Sequence, residues 1–183
     1  MTESAKAMAA RLRPAAPGDA SAIQAIYAHY VINGLASFEI DPPDEAEMAA
    51  RMERITQAGY PYIIAESEGT VAGYAYASSY RARPAYRHTV EDSVYVAPAF
   101  TGQGIGRLLL EDLVRRATAA GFRQMIAVIG DSGNRPSIRL HESCGFARAG
   151  VLTNVGWKHE RWVDTVIMHR ALGSGADTPP DRK

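Results

Sequence analysis

Apolar residues in the first third of the chain recur with the period of an amphipathic helix. Two helices are predicted there, and a loop over residues 33–43 separates them. Asp19 stands where the N-cap of the first helix belongs, and a short strand at residues 12–13, ended by Pro14, precedes it. The apolar faces contain Ile23, Ile26, Tyr27 and Tyr30 in the first helix, and Met48, Met52 and Ile55 in the second.

The pattern changes to the alternation of β-strands in the middle of the chain. Residues 62–65 and 71–79 are predicted strands, and the Glu68-Gly69 turn between them predicts a hairpin. Pro84 interrupts the loop that follows. A third strand is then predicted over residues 89–96, so this part of the chain should form an antiparallel meander.

The helical period returns at Gly104 and stops at Gly121. The apolar side of this helix is predicted to contain Ile105, Leu108, Leu109, Leu113 and Ala117. The remaining predicted elements are a strand over 124–129, a short helix over 134–144, and closing strands near 146–155 and 161–170. This order predicts an α/β fold around one mixed, mainly antiparallel twisted sheet flanked by helices.

Length and composition favour one domain over residues 11–172, with a flexible lead-in over 1–10 and a disordered tail over 173–183. The chain has 183 residues, and its 20 basic side chains balance 20 acidic ones, so net charge does not attract nucleic acid or an anionic membrane. No apolar run approaches the ~18 residues of a membrane span. Cys144 is the only cysteine, which excludes an intrachain disulfide and suits a reducing compartment. We therefore predict a soluble cytoplasmic protein without nucleic-acid or membrane partners.

A strand, a glycine-rich turn and the start of a helix follow one another over residues 94–107. Gly102, Gly104 and Gly106 would let backbone N–H groups approach an anion closely, and the positive end of the helix favours phosphate there. Arg107 adds a cation. The same turn could instead be a tight connection that binds nothing. It matches neither the dinucleotide-binding fingerprint nor the Walker A loop.

This segment resembles motif A of the GNAT acetyltransferase superfamily, whose core is Gln/Arg-x-x-Gly-x-Gly/Ala. Gly104 and Gly106 match this core, whereas Thr101 replaces the usual Gln or Arg. Residues 134–146 resemble motif B of the same superfamily. The resemblance covers roughly residues 12–172, and it implies the GNAT fold and acetyl-CoA as co-substrate, without a metal.

Further features resemble the GNAT branch that acetylates phosphinothricin, methionine sulfoximine and related amino-acid analogues. They are Val90-Glu91 before the Val-Tyr-Val strand, Leu140-His141 in motif B, and Gly156-Trp157-Lys158 followed by Arg161-Trp162. Members of that branch are typically dimeric. The resemblance therefore implies a homodimer, in which residues 154–158 could reach the partner's active site.

The resemblance also implies where acetyl-CoA binds. The backbone of Val94, Tyr95 and Val96 is expected to pair with its pantetheine arm. Asn134 is expected near the thioester end of that arm, with Ser137 nearby. The turn expected to hold the pyrophosphate consists of Gly102, Gln103, Gly104, Ile105, Gly106 and Arg107.

Acetyl transfer to an amine needs a neutral nucleophile, a polarised thioester and a stabilised thiolate. Glu91 is the candidate general base, although a solvated strand-end carboxylate would look the same in the sequence. His141 stands where many GNAT enzymes carry a tyrosine thought to protonate the thiolate; it could donate a proton, bind substrate or stabilise local structure. Asp92 should point away from Glu91, because neighbouring strand residues face opposite sides. A Cys144 nucleophile is disfavoured, because no Cys-His-acid pattern accompanies it.

The substrate pocket is the part least determined by the sequence. Arg81 and Arg83 precede the catalytic strand, and a guanidinium suits bidentate binding of a carboxylate, although both could be solvated. Phe38 is a candidate wall residue, or a core residue. The resemblance implies that this arginine loop holds the substrate together with the segment formed by Glu91, Asp92 and Ser93.

We predict an N-acetyltransferase that moves acetyl from acetyl-CoA to the α-amine of a small amino-acid-like substrate of the phosphinothricin, methionine sulfoximine or methionine sulfone class. Two alternatives stay open. One is a GNAT enzyme for another amine, such as a polyamine, an aminoglycoside or a protein N-terminus; the arginine loop disfavours polycations. The other is a non-catalytic acyl-CoA-binding module, which would need neither Glu91 nor His141.

Overall fold

The computed structural model describes residues 10–180, which form one seven-stranded sheet with four helices. The strands are β1 (Arg11–Pro14), β2 (Tyr62–Ser67), β3 (Thr70–Ser79), β4 (Thr89–Val96), β5 (Gln124–Gly130), β6 (Ala147–Lys158) and β7 (Arg161–Ala171). The helices are α1 (Ala20–Asn33), α2 (Glu45–Gln57), α3 (Ile105–Ala119) and α4 (Arg135–Ser143).

The strand order is β1-β2-β3-β4-β5-β7-β6, and every neighbouring pair is antiparallel except β4 and β5. This arrangement confirms the predicted mixed, mainly antiparallel α/β fold. β6 is longer than predicted and continues to Lys158. A register shift between Leu152 and Gly156, with Asn154 at φ +57°, interrupts the ladder before the strand resumes.

Helices cover both faces of the sheet. The α3 side buries the larger apolar cluster, and α1 and α2 cover the other face with a second cluster that includes Tyr27, Tyr62 and Tyr74. The prediction that Leu108 belongs to the buried side of α3 is wrong, because Leu108 is 37% exposed whereas Leu110 is fully buried. The buried stripe of α3 contains Ile105, Leu109, Leu110, Leu113, Val114 and Ala117.

Asp19 occupies the N-cap of α1, as predicted, but its side chain does not cap the helix. Its carboxylate accepts hydrogen bonds from Arg13 at 2.7 and 2.8 Å and from the Ala16 N–H at 2.8 Å. The hydrogen bonds from Arg13 lower the pKa of Asp19. The carboxylate therefore ties β1 to the start of α1.

The two ends of the chain differ in what the structure describes. Residues 1–9 of the predicted lead-in and residues 181–183 of the predicted tail lie outside the described residues. Residues 173–180 lie against Arg123, whose guanidinium donates to Gly175 O at 2.9 Å and to Thr178 O at 2.7 Å. This part of the predicted disordered tail is thus hydrogen-bonded to the domain. Backbone carbonyls accept these bonds, so residue composition gives no sign of them.

Within residues 10–180, no helix has the length and apolar character that crossing a bilayer would need. The cytoplasmic location stays a prediction.

Candidate active site

The two parallel strands separate at the centre of the sheet. β4 pairs with β5 only from Thr89 to Asp92, opposite Gln124 to Ala127. Beyond this point β4 continues to Val96 and β5 to Gly130 without pairing with each other. The divergence opens a cleft with unpaired strand edges on both sides.

The register of β3 and β4 decides which peptide groups of β4 face this cleft. Ala97 and Ala72 lie opposite each other across the strand pair, and the Ala97 N–H donates to Ala72 O at 2.9 Å. Because the bonded positions of an antiparallel pair alternate, Tyr95 also bonds to β3, and Val94 and Val96 turn their peptide groups towards the cleft. Val96 O accepts a hydrogen bond from the Tyr30 hydroxyl at 2.6 Å. Val94 and the Val96 N–H are therefore available to a ligand, whereas the peptide of Tyr95 is not.

The glycine-rich turn needs glycine for two different reasons. Gly102 and Gly104 have φ values of +75° and +83°, and an added Cβ at either would have no heavy atom within 4 Å. Their backbone conformation, rather than crowding, thus requires glycine. Gly106 lies in α3, where a Cβ would be 3.2 Å from Leu140 and 3.6 Å from Val96. Because Gly106 has no Cβ, α3 can lie close to α4 and β4.

The N-terminal end of α3 is open to an anion. The backbone N–H groups of residues 102–107 donate to no backbone carbonyl in the described chain, and Gly104 provides no side-chain cap. Gln103 and Thr101 donate to Ala99 O and Pro98 O, so their side chains brace the turn. Arg107 is exposed and pairs with Glu111 at 2.7 Å. These donors fit a pyrophosphate.

A cavity of about 340 Å³ lies at the mouth of the cleft, within the ~300–1,000 Å³ range of small-molecule sites. The predicted site residues that line it are Phe38, Glu91, Asp92, Ser93, Val94, Tyr95, Asn134, Ser137 and His141. The predicted residues outside its wall are Arg81, Arg83, Val96 and the turn over 102–107. The structure therefore brings residues of β4 and α4 together with the loop after α1.

Glu91 is half-buried in the cavity wall. Burial raises the pKa of its carboxyl group, the charge of Asp92 raises it further, and Arg81 opposes both. A carboxylate with a raised pKa in a cleft has the property that a general base near neutral pH requires.

The two arginines of the predicted substrate loop are exposed. The Arg81 guanidinium lies 5.0 Å from the centroid of the Tyr80 ring, and its charge reaches Glu91. Arg83 lies at the start of a short 3₁₀ turn that ends at Tyr86. Of the two arginines, Arg81 is thus the one whose charge acts on Glu91.

His141 is buried against β4. Its Nε2 lies 3.0 Å from Asp92 Oδ2 and its Nδ1 lies 2.7 Å from Ser137 O. Glu91 and Asp92 are adjacent on β4, where neighbouring side chains leave opposite faces of a strand, yet both line the cavity. Asn134 caps α4 by accepting from the Ser137 N–H at 3.3 Å.

The loop after α1 forms a cavity wall that sequence reasoning only partly found. Lys158 is buried and its Nζ donates to Ser37 O at 2.7 Å, joining residues 121 positions apart. Phe38 lies on Gly156, where any Cβ would overlap its ring. The resemblance to the GNAT branch singled out the Gly156-Trp157-Lys158 stretch, but no local sequence pattern indicates that it packs against Phe38.

Gly156→Ala tests this wall. The added methyl should push the Phe38 ring from its place, and we expect the KM for the amine substrate to rise about tenfold, which corresponds to ~1.4 kcal/mol. Gly150→Ala on the same strand is the matched control, since a Cβ there meets nothing within 4 Å. Steady-state kinetics of the two variants measure the effect. Equal KM values for both variants would contradict the wall.

The described residues contain no group of three or more His, Cys, Asp and Glu side chains that could hold a metal ion.

Comparisons with known proteins agree with this geometry. The acetyltransferase (GNAT) family matches residues 23–146. A phosphinothricin N-acetyltransferase of Alcaligenes faecalis is 55% identical over 163 residues, which are 89% of this chain and 83% of that protein. An L-methionine sulfoximine/L-methionine sulfone acetyltransferase of Salmonella typhimurium is 39% identical over 90% of this chain and 96% of its own.

A solved structure extends the similarity to three dimensions. The crystal structure of a GNAT superfamily phosphinothricin acetyltransferase from Sinorhizobium meliloti, in complex with acetyl-CoA, superposes with a TM-score of 0.93. The two chains are 51% identical, and the match covers 96% of this chain and 95% of that one. The chain therefore belongs to the GNAT acetyltransferase family, as an acetyl-CoA-dependent N-acetyltransferase.

Proposed function

We propose that the chain transfers acetyl from acetyl-CoA to the α-amine of a small amino-acid-like substrate of the phosphinothricin, methionine sulfoximine or methionine sulfone class. The observation that carries this proposal is Glu91, a half-buried carboxylate with a raised pKa in the wall of the cavity at the mouth of the cleft. The names of the relatives in Alcaligenes and Salmonella support the substrate class.

Acetyl-CoA would be held by backbone groups on β4 and at the start of α3. The free peptide groups of Val94 and the Val96 N–H suit the amides of the pantetheine arm, as an added strand would. The open N–H groups of residues 102–107 suit the pyrophosphate. Tyr95 would contribute only its side chain, because its peptide bonds to β3.

Glu91 would take a proton from the substrate ammonium, directly or through a water molecule. Only the neutral amine can attack the thioester, so the carboxylate must be ionised when the substrate binds. Burial raises its pKa towards the working pH, which makes it a better proton acceptor than an exposed glutamate. Arg81 lies within electrostatic reach of Glu91 and would bind the substrate carboxylate. Phe38, in the cavity wall, would limit the size of the substrate side chain.

The experiment that tests the substrate class is a thiol-release assay with acetyl-CoA. The panel contains methionine sulfoximine, methionine sulfone, phosphinothricin, ordinary amino acids, spermidine and an aminoglycoside. We expect turnover with the tetrahedral sulfur and phosphorus analogues. Turnover only with polyamines or aminoglycosides would contradict the class, and acetyl-CoA binding without turnover on any amine would favour a binding module.

We also propose that the chain forms a homodimer through the β6–β7 hairpin. This hairpin exposes five large apolar side chains, and a group of exposed apolar side chains on one element favours a protein–protein contact. They are Val151, Leu152, Val155, Trp157 and Trp162. Residues 154–158 would then lie near the partner, next to the wall formed by Phe38.

Leu152→Lys with Val155→Lys should convert the dimer into a monomer, because two charges cannot be buried unpaired at an interface. Analytical ultracentrifugation of the wild-type chain and this variant measures the change. A wild-type chain that sediments as a monomer at micromolar concentration would contradict the proposal.

A further inference from the structure

Asp92 and His141 form a buried pair that the proposed chemistry does not yet use. Their side chains are only 2% and 5% exposed, and Asp92 Oδ2 lies 3.0 Å from His141 Nε2. The ring of Phe146 packs edge-on against the imidazole, with centroids 5.1 Å apart. The pair lies in the wall of the same cavity as Glu91.

The hydrogen bonds of His141 decide which protons its ring carries. Ser137 O can only accept, so Nδ1, 2.7 Å away, must carry a proton. Nε2 faces a carboxylate oxygen, so a second proton must lie between Nε2 and Oδ2 for this contact to be a hydrogen bond. The pair therefore contains one proton more than a neutral imidazole beside a carboxylate.

We propose that Asp92 is a positioning residue that holds His141 in its doubly protonated form beside the cavity. The two residues then act as a net-neutral carboxylate–imidazolium pair. This assignment replaces the expected substrate contact of Asp92 through Oδ2 and leaves no free nitrogen on His141 for a separate contact.

The surroundings of the pair explain why the charged form prevails. Burial lowers the pKa of His141, but the hydrogen bond and charge of Asp92 and the Ser137 carbonyl outweigh it, so the pKa is raised. The other titratable groups that line the cavity are Glu91, Tyr27, Tyr76 and Tyr95. The charged groups Arg107, Glu111 and Arg170, on α3 and β7, act instead on Cys144 at the end of α4.

The environment of Asp92 Oδ1 shows that the carboxylate depends on His141 for its stabilisation. Oδ1 is buried and has no hydrogen-bond partner among residues 10–180. A buried carboxylate without a compensating cation is strongly unfavourable, so the imidazolium is needed to keep Asp92 ionised there. Given the proposed acetyl transfer, on which this role rests, the pair keeps a protonated imidazole in the wall of the cavity in which the reaction takes place.

Histidine-ring NMR of the ¹⁵N-labelled chain tests the pair without any substrate. The chain has five histidines, and His141→Gln identifies the resonances of His141 by their loss. We expect both ring nitrogens of His141 to be protonated at neutral pH, with a titration midpoint above the ordinary value of about 6.5. A wild-type spectrum with only Nδ1 protonated at pH 7 would overturn the proposal, whether or not any variant folds.

Asp92→Asn keeps the size of the side chain and removes its charge. Its midpoint for His141 should fall by ~1–3 pH units, because burial is then no longer opposed by a carboxylate. Glu142→Gln, which removes an exposed carboxylate next to His141 in the chain, is the matched control and should leave the midpoint unchanged. An unchanged midpoint in a folded Asp92→Asn variant would overturn the pair.

The activity of the same variants separates this proposal from the proposed function. In Asp92→Asn the alkaline limb of the pH profile of kcat should move to lower pH, in parallel with the NMR midpoint, while KM for acetyl-CoA changes less than kcat. If Asp92→Asn still transfers acetyl and neither its pH profile of kcat nor the NMR midpoint of His141 moves, the proposed pair is refuted but the transferase proposal is not. The expected NMR result without turnover on any amine would refute the transferase proposal alone.

Discussion

Glu91→Gln is expected to lower kcat by at least about 100-fold at neutral pH, the usual scale for the loss of a general base. Glutamine preserves the size of the side chain, so the cavity and the binding of acetyl-CoA should persist. Without a carboxylate, the substrate amine would have to lose its proton to solvent. Thiol-release kinetics under saturating acetyl-CoA measure the effect, and calorimetry of acetyl-CoA binding verifies that the site is intact.

The pH dependence gives the same prediction a second readout. Because the pKa of Glu91 is raised, kcat should fall on the acid side with a midpoint above the ~4.3 of an ordinary glutamate. This limb should vanish in Glu91→Gln. Glu68→Gln, in the turn between β2 and β3, is the control and should keep wild-type kinetics. Unchanged turnover in Glu91→Gln would remove Glu91 from the mechanism.

Gly104→Val is expected to weaken acetyl-CoA binding by about 100-fold. A β-branched residue at φ +83° is strained, so the turn must change its conformation and redirect its N–H groups. Losing two hydrogen bonds to a charged pyrophosphate, at ~1.5 kcal/mol each, corresponds to this factor. Isothermal titration calorimetry with acetyl-CoA measures it directly.

Gly121→Val is the matched control for this substitution. Gly121 follows the other end of α3, has φ +89°, and is equally uncrowded, so valine imposes similar strain far from the cleft. It should lower stability without changing the affinity for acetyl-CoA. If a folded Gly104→Val variant binds acetyl-CoA normally, residues 102–107 are not the pyrophosphate site.

Local patterns predicted most of the fold. The alternation in residues 62–96 predicted the meander, and the apolar period after Gly104 predicted α3, because burying one face of a strand or helix leaves a periodic trace. Leu108 was misplaced because three consecutive leucines, at positions 108–110, leave the angular position of the apolar stripe undetermined. Only packing against the sheet selects Leu109 and Leu110.

The site was predictable only where its geometry is local. The backbone conformation of the turn requires glycine at Gly102 and Gly104, and these glycines are visible in the sequence. The bond from His141 to Asp92 joins residues 49 positions apart, and it depends on α4 packing across the divergence of β4 and β5. The bond from Lys158 to Ser37 likewise depends on tertiary packing. Neither contact has a periodic or compositional signature.

The most direct test of the central claim is the stoichiometry of a single reaction with acetyl-CoA and methionine sulfoximine. Free thiol is measured by colorimetry and the N-acetylated product by mass spectrometry. We predict one thiol released for each α-N-acetylated molecule, with the initial rates of both signals at least about 100-fold lower in Glu91→Gln. Thiol release without N-acetylated product, or product formation at the wild-type rate in Glu91→Gln, would contradict the account.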